Sequence, residues 1–300
     1  MGRSGADTGS NSDRSGGRGL VCPLVAFDYQ TLRYEPGPVG RLTLCRPERL
    51  NSFTIEMWRE LRELGEELLA NPGELRALVV IGEGRAFSSG IDTSVFSGSG
   101  GAQDAISATD DERHRDPVVA GILTTQDSYS WLSEAPFATI AAVRGFALGA
   151  GLQLALACDM RVMARGTRVG LLEFKYGIIP DLGGTQRLPR LVGLGKATEL
   201  ILTSAQIDAE EAHRIGLAEQ LVSDEELEEA AQDLAQVIAA QPPLAVRGAK
   251  RALSAAGSGL SVRDGLLVEA EAQSICLRSE DMKEAITAFI EKRDPEYRGR

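Results

Sequence analysis

Apolar residues are spaced along this chain in ways that predict its elements. Met57, Leu61, Leu64 and Leu68 recur at the three-to-four interval of a helix with one buried face. Asn51-Ser52-Phe53-Thr54 offers caps ahead of them, and Asn71-Pro72-Gly73 ends the helix just after Ala70. Ala77-Leu78-Val79-Val80-Ile81, bounded by Gly82 and Gly84, is a short unbroken apolar run and predicts a buried strand. Thr139 to Val143 and Met160 to Ala164 predict two more. Val25 to Tyr34 and Val39 to Cys45 form a β pair around the turn Glu35-Pro36-Gly37-Pro38. Helices are expected from about Pro117 to Ser133 and from Gly149 to Ala157. From about Ala209 the pattern stays helical to Lys292, broken at Gln241-Pro242-Pro243. The alternation of short strands and short helices predicts an α/β chain of stacked β-β-α turns. No sequence repeat is evident.

Composition narrows the class. With 300 residues, 43% of them hydrophobic and 25% charged, the chain can bury a large core without disulfides or metal. A net charge of −11 disfavours nucleic acid or an anionic membrane as partner, since both repel an acidic surface. No apolar run is long enough to span a membrane. Residues 1–20 are dominated by Gly, Ser, Arg and Asp and are expected to be a disordered tail. They hold no apolar stretch of the signal-peptide kind. Residues 97–116 are expected to be a mobile insertion. Cys22, Cys45, Cys158 and Cys276 are scattered, with no C-x-x-C spacing, so no metal site is expected. Cys45 and Cys158 lie in apolar runs and are expected to be buried free thiols, which fits a reducing cytoplasm. Of the two histidines, His213 falls in a helical pattern and is expected to be structural.

Candidate chemistry gathers in two glycine-containing turns. Gly84-Arg85-Ala86-Phe87-Ser88-Ser89-Gly90-Ile91-Asp92 follows one buried strand. Gly145-Phe146-Ala147-Leu148-Gly149-Ala150-Gly151 follows another and opens a helix. Small residues there let a ligand approach the backbone, and the first amides of a helix are free donors at its positive end. Such donors can stabilise an oxyanion. The glycines can equally do no more than make tight turns, and the residues alone leave both readings open. Dinucleotide and phosphate-loop glycine motifs do not fit, and no Gly-x-Ser-x-Gly elbow occurs.

A longer set of motifs is more specific. Ile140-Ala141-Ala142-Val143-Arg144-Gly145-Phe146-Ala147-Leu148-Gly149-Ala150-Gly151, Ala157-Cys158-Asp159 and Gly177-Ile178-Ile179-Pro180-Asp181-Leu182-Gly183-Gly184-Thr185-Gln186-Arg187-Leu188 resemble the enoyl-CoA hydratase/isomerase (crotonase) family. So do Arg46-Pro47-Glu48-Arg49-Leu50-Asn51, Ala86-Phe87-Ser88-Ser89-Gly90-Ile91-Asp92 and Ala209-Glu210-Glu211-Ala212-His213-Arg214-Ile215-Gly216-Leu217. The resemblance runs in order from about residue 24 to 294. It implies a crotonase-like spiral core over 21–215 and a C-terminal helical oligomerisation region over 216–300. It implies an acyl-CoA thioester as substrate, no cofactor beyond that coenzyme A, and a homotrimer or a hexamer built as a dimer of trimers. The backbone amides of Ile91 and Ala150 would be the oxyanion donors. Ser89 to Thr93, including Asp92, would line the adenine pocket, and Gly149 would be a further substrate- or CoA-binding residue. Arg46 or Arg49 would approach the CoA phosphates, and Phe289 and Lys292 would reach CoA from a neighbouring subunit.

One departure decides the chemistry. Family hydratases use two glutamates; Glu173 matches the second, but Gln153 stands at the first. A carboxamide can position water but cannot act as a base near neutrality. One carboxylate is enough to move a proton and shift a double bond. Asp181 matches an acid that family isomerases use for proton transfer, or it caps the following turn. The expected activity is therefore enoyl-CoA isomerisation by Glu173 and Asp181, through a dienolate held in the oxyanion hole. The alternatives are a hydratase working despite Gln153, and a non-catalytic acyl-CoA-binding protein.

Overall fold

The apolar runs become the central strands of a six-stranded sheet. The structure, a computed structural model, describes residues 29–96 and 111–300; the expected tail, Cys22 and most of the 97–116 insertion lie outside them. Strand order is β1-β2-β3-β4-β6-β9, with β1 (Leu32–Glu35) antiparallel to β2 (Val39–Leu44) and the rest parallel. The others are β3 (Ala77–Gly82), β4 (Ala138–Val143), β6 (Met160–Ala164) and β9 (Gln220–Val222). Strands β3 and β4 read as uninterrupted apolar runs because both of their faces are covered. Leu78, Val80, Ala141 and Val143 point into one core. Ala77, Val79, Ile81, Ile140 and Ala142 point into a second.

The larger core lies against α1 (Ile55–Ala70), which packs beside α2 (Pro117–Glu134). Thr54 caps α1 by accepting from the Met57 amide, and Met57, Leu61, Leu64 and Leu68 are fully buried, as their spacing predicts. Truncating one of these leucines to alanine costs about 2–5 kcal/mol. Asp116 caps α2 ahead of Pro117.

A small second sheet, β5-β7-β8, comprises Phe146–Leu148, Arg168–Gly170 and Ile207–Asp208. Between β5 and β6 runs α3 (Ala150–Ala157), every residue of which is buried. The succession β4-β5-α3 followed by β6-β7 and further helices is the expected stack of β-β-α turns. Beneath the C-terminal end of α3, Arg161 is 1% exposed. Its guanidinium donates to the carbonyls of Leu217 (2.7 Å) and Cys158 (3.0 Å) and pairs with Glu219. Helices α4 (Gly184–Val192), α5 (Leu194–Thr203) and α6 (Ala209–Arg214) follow. His213 is structural: its Nδ1 lies 3.0 Å from the Ala218 carbonyl.

The region expected to be helical from Ala209 to Lys292 is interrupted by β9, which pairs with β6. Three half-buried residues are too short a run to give a strand signal in sequence. After it, α7 (Leu227–Ala239) buries Leu227, Ala231 and Ala235 against the outer face of the sheet. Helices α8 (Pro243–Gly257), α9 (Val262–Arg278) and α10 (Glu280–Glu291) complete the chain. Lys250 ties α8 to the core through Asp159 (2.7 Å) and the Phe137 carbonyl (2.7 Å). Two further expectations are corrected. Residues 25–28 of the first expected strand lie outside the described residues; within them strand β1 begins at Leu32, because the amides of Gln30 and Thr31 donate to the buried carboxylate of Glu60 (2.7 and 3.0 Å), not to a ladder. Cys45 is only half-buried, with its thiol on the Thr43 carbonyl, whereas Cys158 is buried; both are free.

Candidate active site

The two glycine-containing turns meet through main-chain hydrogen bonds. The Ser88 amide donates to Phe146 O (2.9 Å) and the Leu148 amide to Ser88 O (3.0 Å), a parallel bridge between Ser88 and Ala147. On its other edge the first turn is laced to Phe53: Phe53 N to Gly90 O and Asp92 N to Phe53 O, both 2.8 Å. Successive amides of an extended segment point to opposite sides, so the Ile91 amide faces away from Phe53. It donates to no protein acceptor among the described residues, and neither does the Ala150 amide at the start of α3. Gly90 has φ +102°, and a Cβ there would come within 2.9 Å of Leu148 O. Gly149 has φ 50° and ψ −120°, a conformation that glycine tolerates and other residues resist.

Both turns border a cavity of about 470 Å³ that also receives Gln153, Glu173 and Asp181. The rest of its wall is mainly apolar: Trp58 from α1, Val118 and Ile122 from α2, and Ile178 and Ile179 from the turn after Glu173. Tyr129, fully buried, donates its hydroxyl to Ala150 O (3.1 Å) and accepts from Trp58 Nε1 (3.2 Å), fixing the first turn of α3.

Gln153 is 1% exposed and its amide orientation is determined by its neighbours. Oε1 accepts from the amides of Leu182 (2.8 Å) and Gly184 (2.9 Å), so Nε2 must turn to Glu173, donating to its Oε1 at 2.8 Å. The other oxygen of Glu173 is buried without a hydrogen-bond partner among the described residues. Burial pushes the Glu173 carboxyl up to about 7, opposed by hydrogen bonds from its own backbone and from Gln153. Burial also pushes the Asp181 carboxyl up from its ordinary value. Gln126 Nε2 holds the backbone of Asp181 through its carbonyl (2.6 Å). Two carboxyls displaced towards neutrality beside free backbone donors can move a proton on a substrate whose oxygen becomes negative.

The remaining site candidates are distributed less evenly. Ser89 and Gly149 border the cavity. Asp92 does not line it, and its carboxylate is bonded to Arg46, Ser52 and the Ser94 amide, so the Arg46 guanidinium is engaged by its own chain. Arg49 and Thr93 are exposed. Phe289, on α10, and Lys292, just beyond it, are exposed and lie apart from the cavity of their own chain. Trp58, Tyr129 and Gln126 carried no motif signal; in sequence they read only as parts of helical faces.

A family model described as enoyl-CoA hydratase/isomerase matches residues 35–300. The chain is similar to a short-chain-enoyl-CoA hydratase of Clostridium acetobutylicum, at 36% identity over 86% of this chain and 94% of that protein. It is equally similar to a 1,2-epoxyphenylacetyl-CoA isomerase of Escherichia coli, at 36% identity over 87% and 95%. Among solved structures, a Thermobifida fusca protein in complex with acetoacetyl-CoA superposes with a TM-score of 0.74 at 39% identity, covering 82% of this chain and 94% of that one.

Proposed function

This chain belongs to the enoyl-CoA hydratase/isomerase family, and from that premise we propose that it shifts the double bond of an enoyl-CoA. The observation that carries the reading is the fixed amide of Gln153, which leaves Glu173 and Asp181 as the carboxyl groups lining the cavity among the described residues. The thioester oxygen accepts from the Ile91 and Ala150 amides. Ionised Glu173 removes a proton from the carbon between the thioester and the double bond of a 3-enoyl group. The freed pair forms the enolate double bond and the carbonyl pair moves onto the oxygen, giving a dienolate conjugated with the original double bond. A proton returns at the γ carbon, from Glu173 itself or with Asp181 assisting, and the carboxylate is regenerated. The proton balance closes on these carboxyls, with coenzyme A entering as part of the substrate and no further cofactor. Proton transfer of this kind contributes about 10²–10⁴-fold, and loss of one oxyanion donor costs about 10²–10³-fold.

Similarity to a hydratase favours a second reading, hydration despite Gln153, either slow or with Asp181 as the missing acid. Product analysis separates the readings. Purified protein is incubated with a 3-enoyl-CoA and, separately, the matched 2-enoyl-CoA. A product of unchanged mass from the 3-enoyl substrate is expected. Gain of water from the 2-enoyl substrate, with no isomer formed, would replace this reading by hydration. Binding without either product would make the chain a non-catalytic acyl-CoA binder. The proposal extends to assembly as a homotrimer or a dimer of trimers through the C-terminal helices, where Phe289 and Lys292 would reach a neighbour's CoA. It extends to a cytoplasmic setting, which suits the free thiols of Cys45, Cys158 and Cys276.

A further inference from the structure

The turn that presents the Ile91 amide is held from behind by charge. Arg46 Nη2 lies 3.0 Å from Asp92 Oδ2, and the two side chains are 17% and 11% exposed. The same carboxylate oxygen accepts from Ser52 Oγ at 3.0 Å, and Oδ1 accepts from the Ser94 amide at 3.0 Å. Nη1 of Arg46 donates to the Ser52 carbonyl and to Ser52 Oγ. The Arg46 backbone is fixed in turn: its amide donates to Asn51 Oδ1 (2.8 Å), while Asn51 Nδ2 donates to the carbonyls of Glu83 (3.0 Å) and Ala86 (2.8 Å). Asn51 is fully buried. One connected network thus joins segments 46–52, 83–86 and 92–94, and residue 91 lies between its anchors. The Ser94 amide, with Arg46 and Ser52, holds the Asp92 carboxyl well below the usual carboxylate range, so the pair stays ionised.

Both terminal nitrogens of this guanidinium are committed to Asp92 and Ser52, and none of these three residues lines the cavity. A lone amide on a loop is an effective oxyanion donor only if its direction is fixed before the substrate arrives. The ladder to Phe53 fixes Gly90 and Asp92 through the backbone; the ion pair fixes Asp92 through its side chain.

We propose that Arg46 and Asp92 are positioning residues whose ion pair aims the Ile91 N–H at the thioester oxygen, and that Arg46 is not a ligand of the CoA phosphates. This rests on the oxyanion role given above to Ile91, and it holds whether the reaction is isomerisation or hydration.

The test uses the full chain and Arg46→Gln, Asp92→Asn and Arg46→Lys. Two conjugated, chromophoric enoyl thioesters serve as probes, one of CoA and one of pantetheine, which lacks the nucleotide phosphates. The red shift of the bound chromophore reports polarisation of the thioester carbonyl and needs no turnover. Arg46→Gln and Asp92→Asn are expected to reduce the shift of both probes while their dissociation constants stay near the wild-type values. With any substrate that turns over, kcat should fall on the order of 10²-fold with KM little changed. Arg46→Lys, which keeps the charge, should recover part of the shift. A loss of about tenfold or more in affinity for the CoA probe alone, with the shift intact, would overturn the proposal and make Arg46 a phosphate ligand. A full shift in wild type and in every folded variant would overturn it too. No shift in the wild-type complex would remove the oxyanion reading itself, and the proposal with it. If the charge variants do not fold, Ser52→Ala removes one bond to Asp92 without stranding a charge, and should reduce the shift in the same direction.

Discussion

At the scale of single residues, the site turns on the difference between an amide and a carboxylate at position 153. Gln153 gives Glu173 a hydrogen bond without a second negative charge. Glutamate there would put a like charge within hydrogen-bonding distance of Glu173 and raise its pKa further. Gln153→Glu is therefore expected to move the rising limb of the pH–rate profile to higher pH and to increase hydration of a 2-enoyl-CoA, both read by steady-state assays. Glu173→Gln should lower turnover by about 10²–10⁴-fold while CoA-ester binding, read by calorimetry, survives. The same substitution should stabilise the fold. The Glu173 carboxyl rises from 4.5 to about 7 on folding, so between those values the folded chain binds more protons than the unfolded one. Its stability contribution is therefore present below about 4.5 and lost as pH rises through about 7. Above that, Glu173→Gln should gain at most about 3 kcal/mol in urea unfolding, and the gain should vanish near the lower value. In the wild type, proton abstraction should strengthen as pH rises through the same window, because only the ionised carboxylate can act as base.

At the scale of elements, the start of α3 is the sensitive point. Gly149 is its N-cap with positive φ, and a Cβ there would stand 3.4 Å from Glu173 Oε1. Gly149→Ala is expected to cost about 1–3 kcal/mol of stability. It should also lower kcat more than it raises KM, because the Ala150 amide and the Glu173 carboxyl both move; thermal melts and kinetics check the two parts. The helix was legible in sequence from its small residues and apolar run, as were α1 from its one-sided spacing and β3 and β4 from their unbroken apolar character. Strand β9 was not, because a three-residue edge strand carries no periodicity. The motif positions marked Gln153, Glu173 and Asp181, yet what orients Gln153 is a pair of backbone amides at Leu182 and Gly184, which no side-chain pattern encodes. The direction of Arg46 was hidden for the same reason. An arginine in a polar motif is compatible with a phosphate, and only the fold shows its guanidinium turned to Asp92. Tyr129 was hidden because its partner, the Ala150 carbonyl, is main chain.

At the scale of the whole molecule, the C-terminal helices leave large apolar side chains uncovered. Val262 is 80% exposed, Leu267 60%, Phe289 85% and Ile290 72%, and α9 buries only Ala272. Apolar surface of this extent supports the association through these helices proposed above. Sedimentation should find the chain assembled as trimers or hexamers, and Leu267→Glu should shift it towards monomers. The core lies elsewhere, around the sheets, and one of its joints has a consequence for heat. The span between the two proposed donors is set by the bridge from Ser88 to Ala147, which is made of peptide groups alone. Such a gauge cannot be re-cut by exchanging side chains on its surface; it widens only when those main-chain hydrogen bonds open. Loss of function on warming should therefore begin as the Ser88 and Leu148 amides start to exchange with deuterium, ahead of global melting, and a protein whose apolar core is still intact would already have let go of its substrate's oxygen.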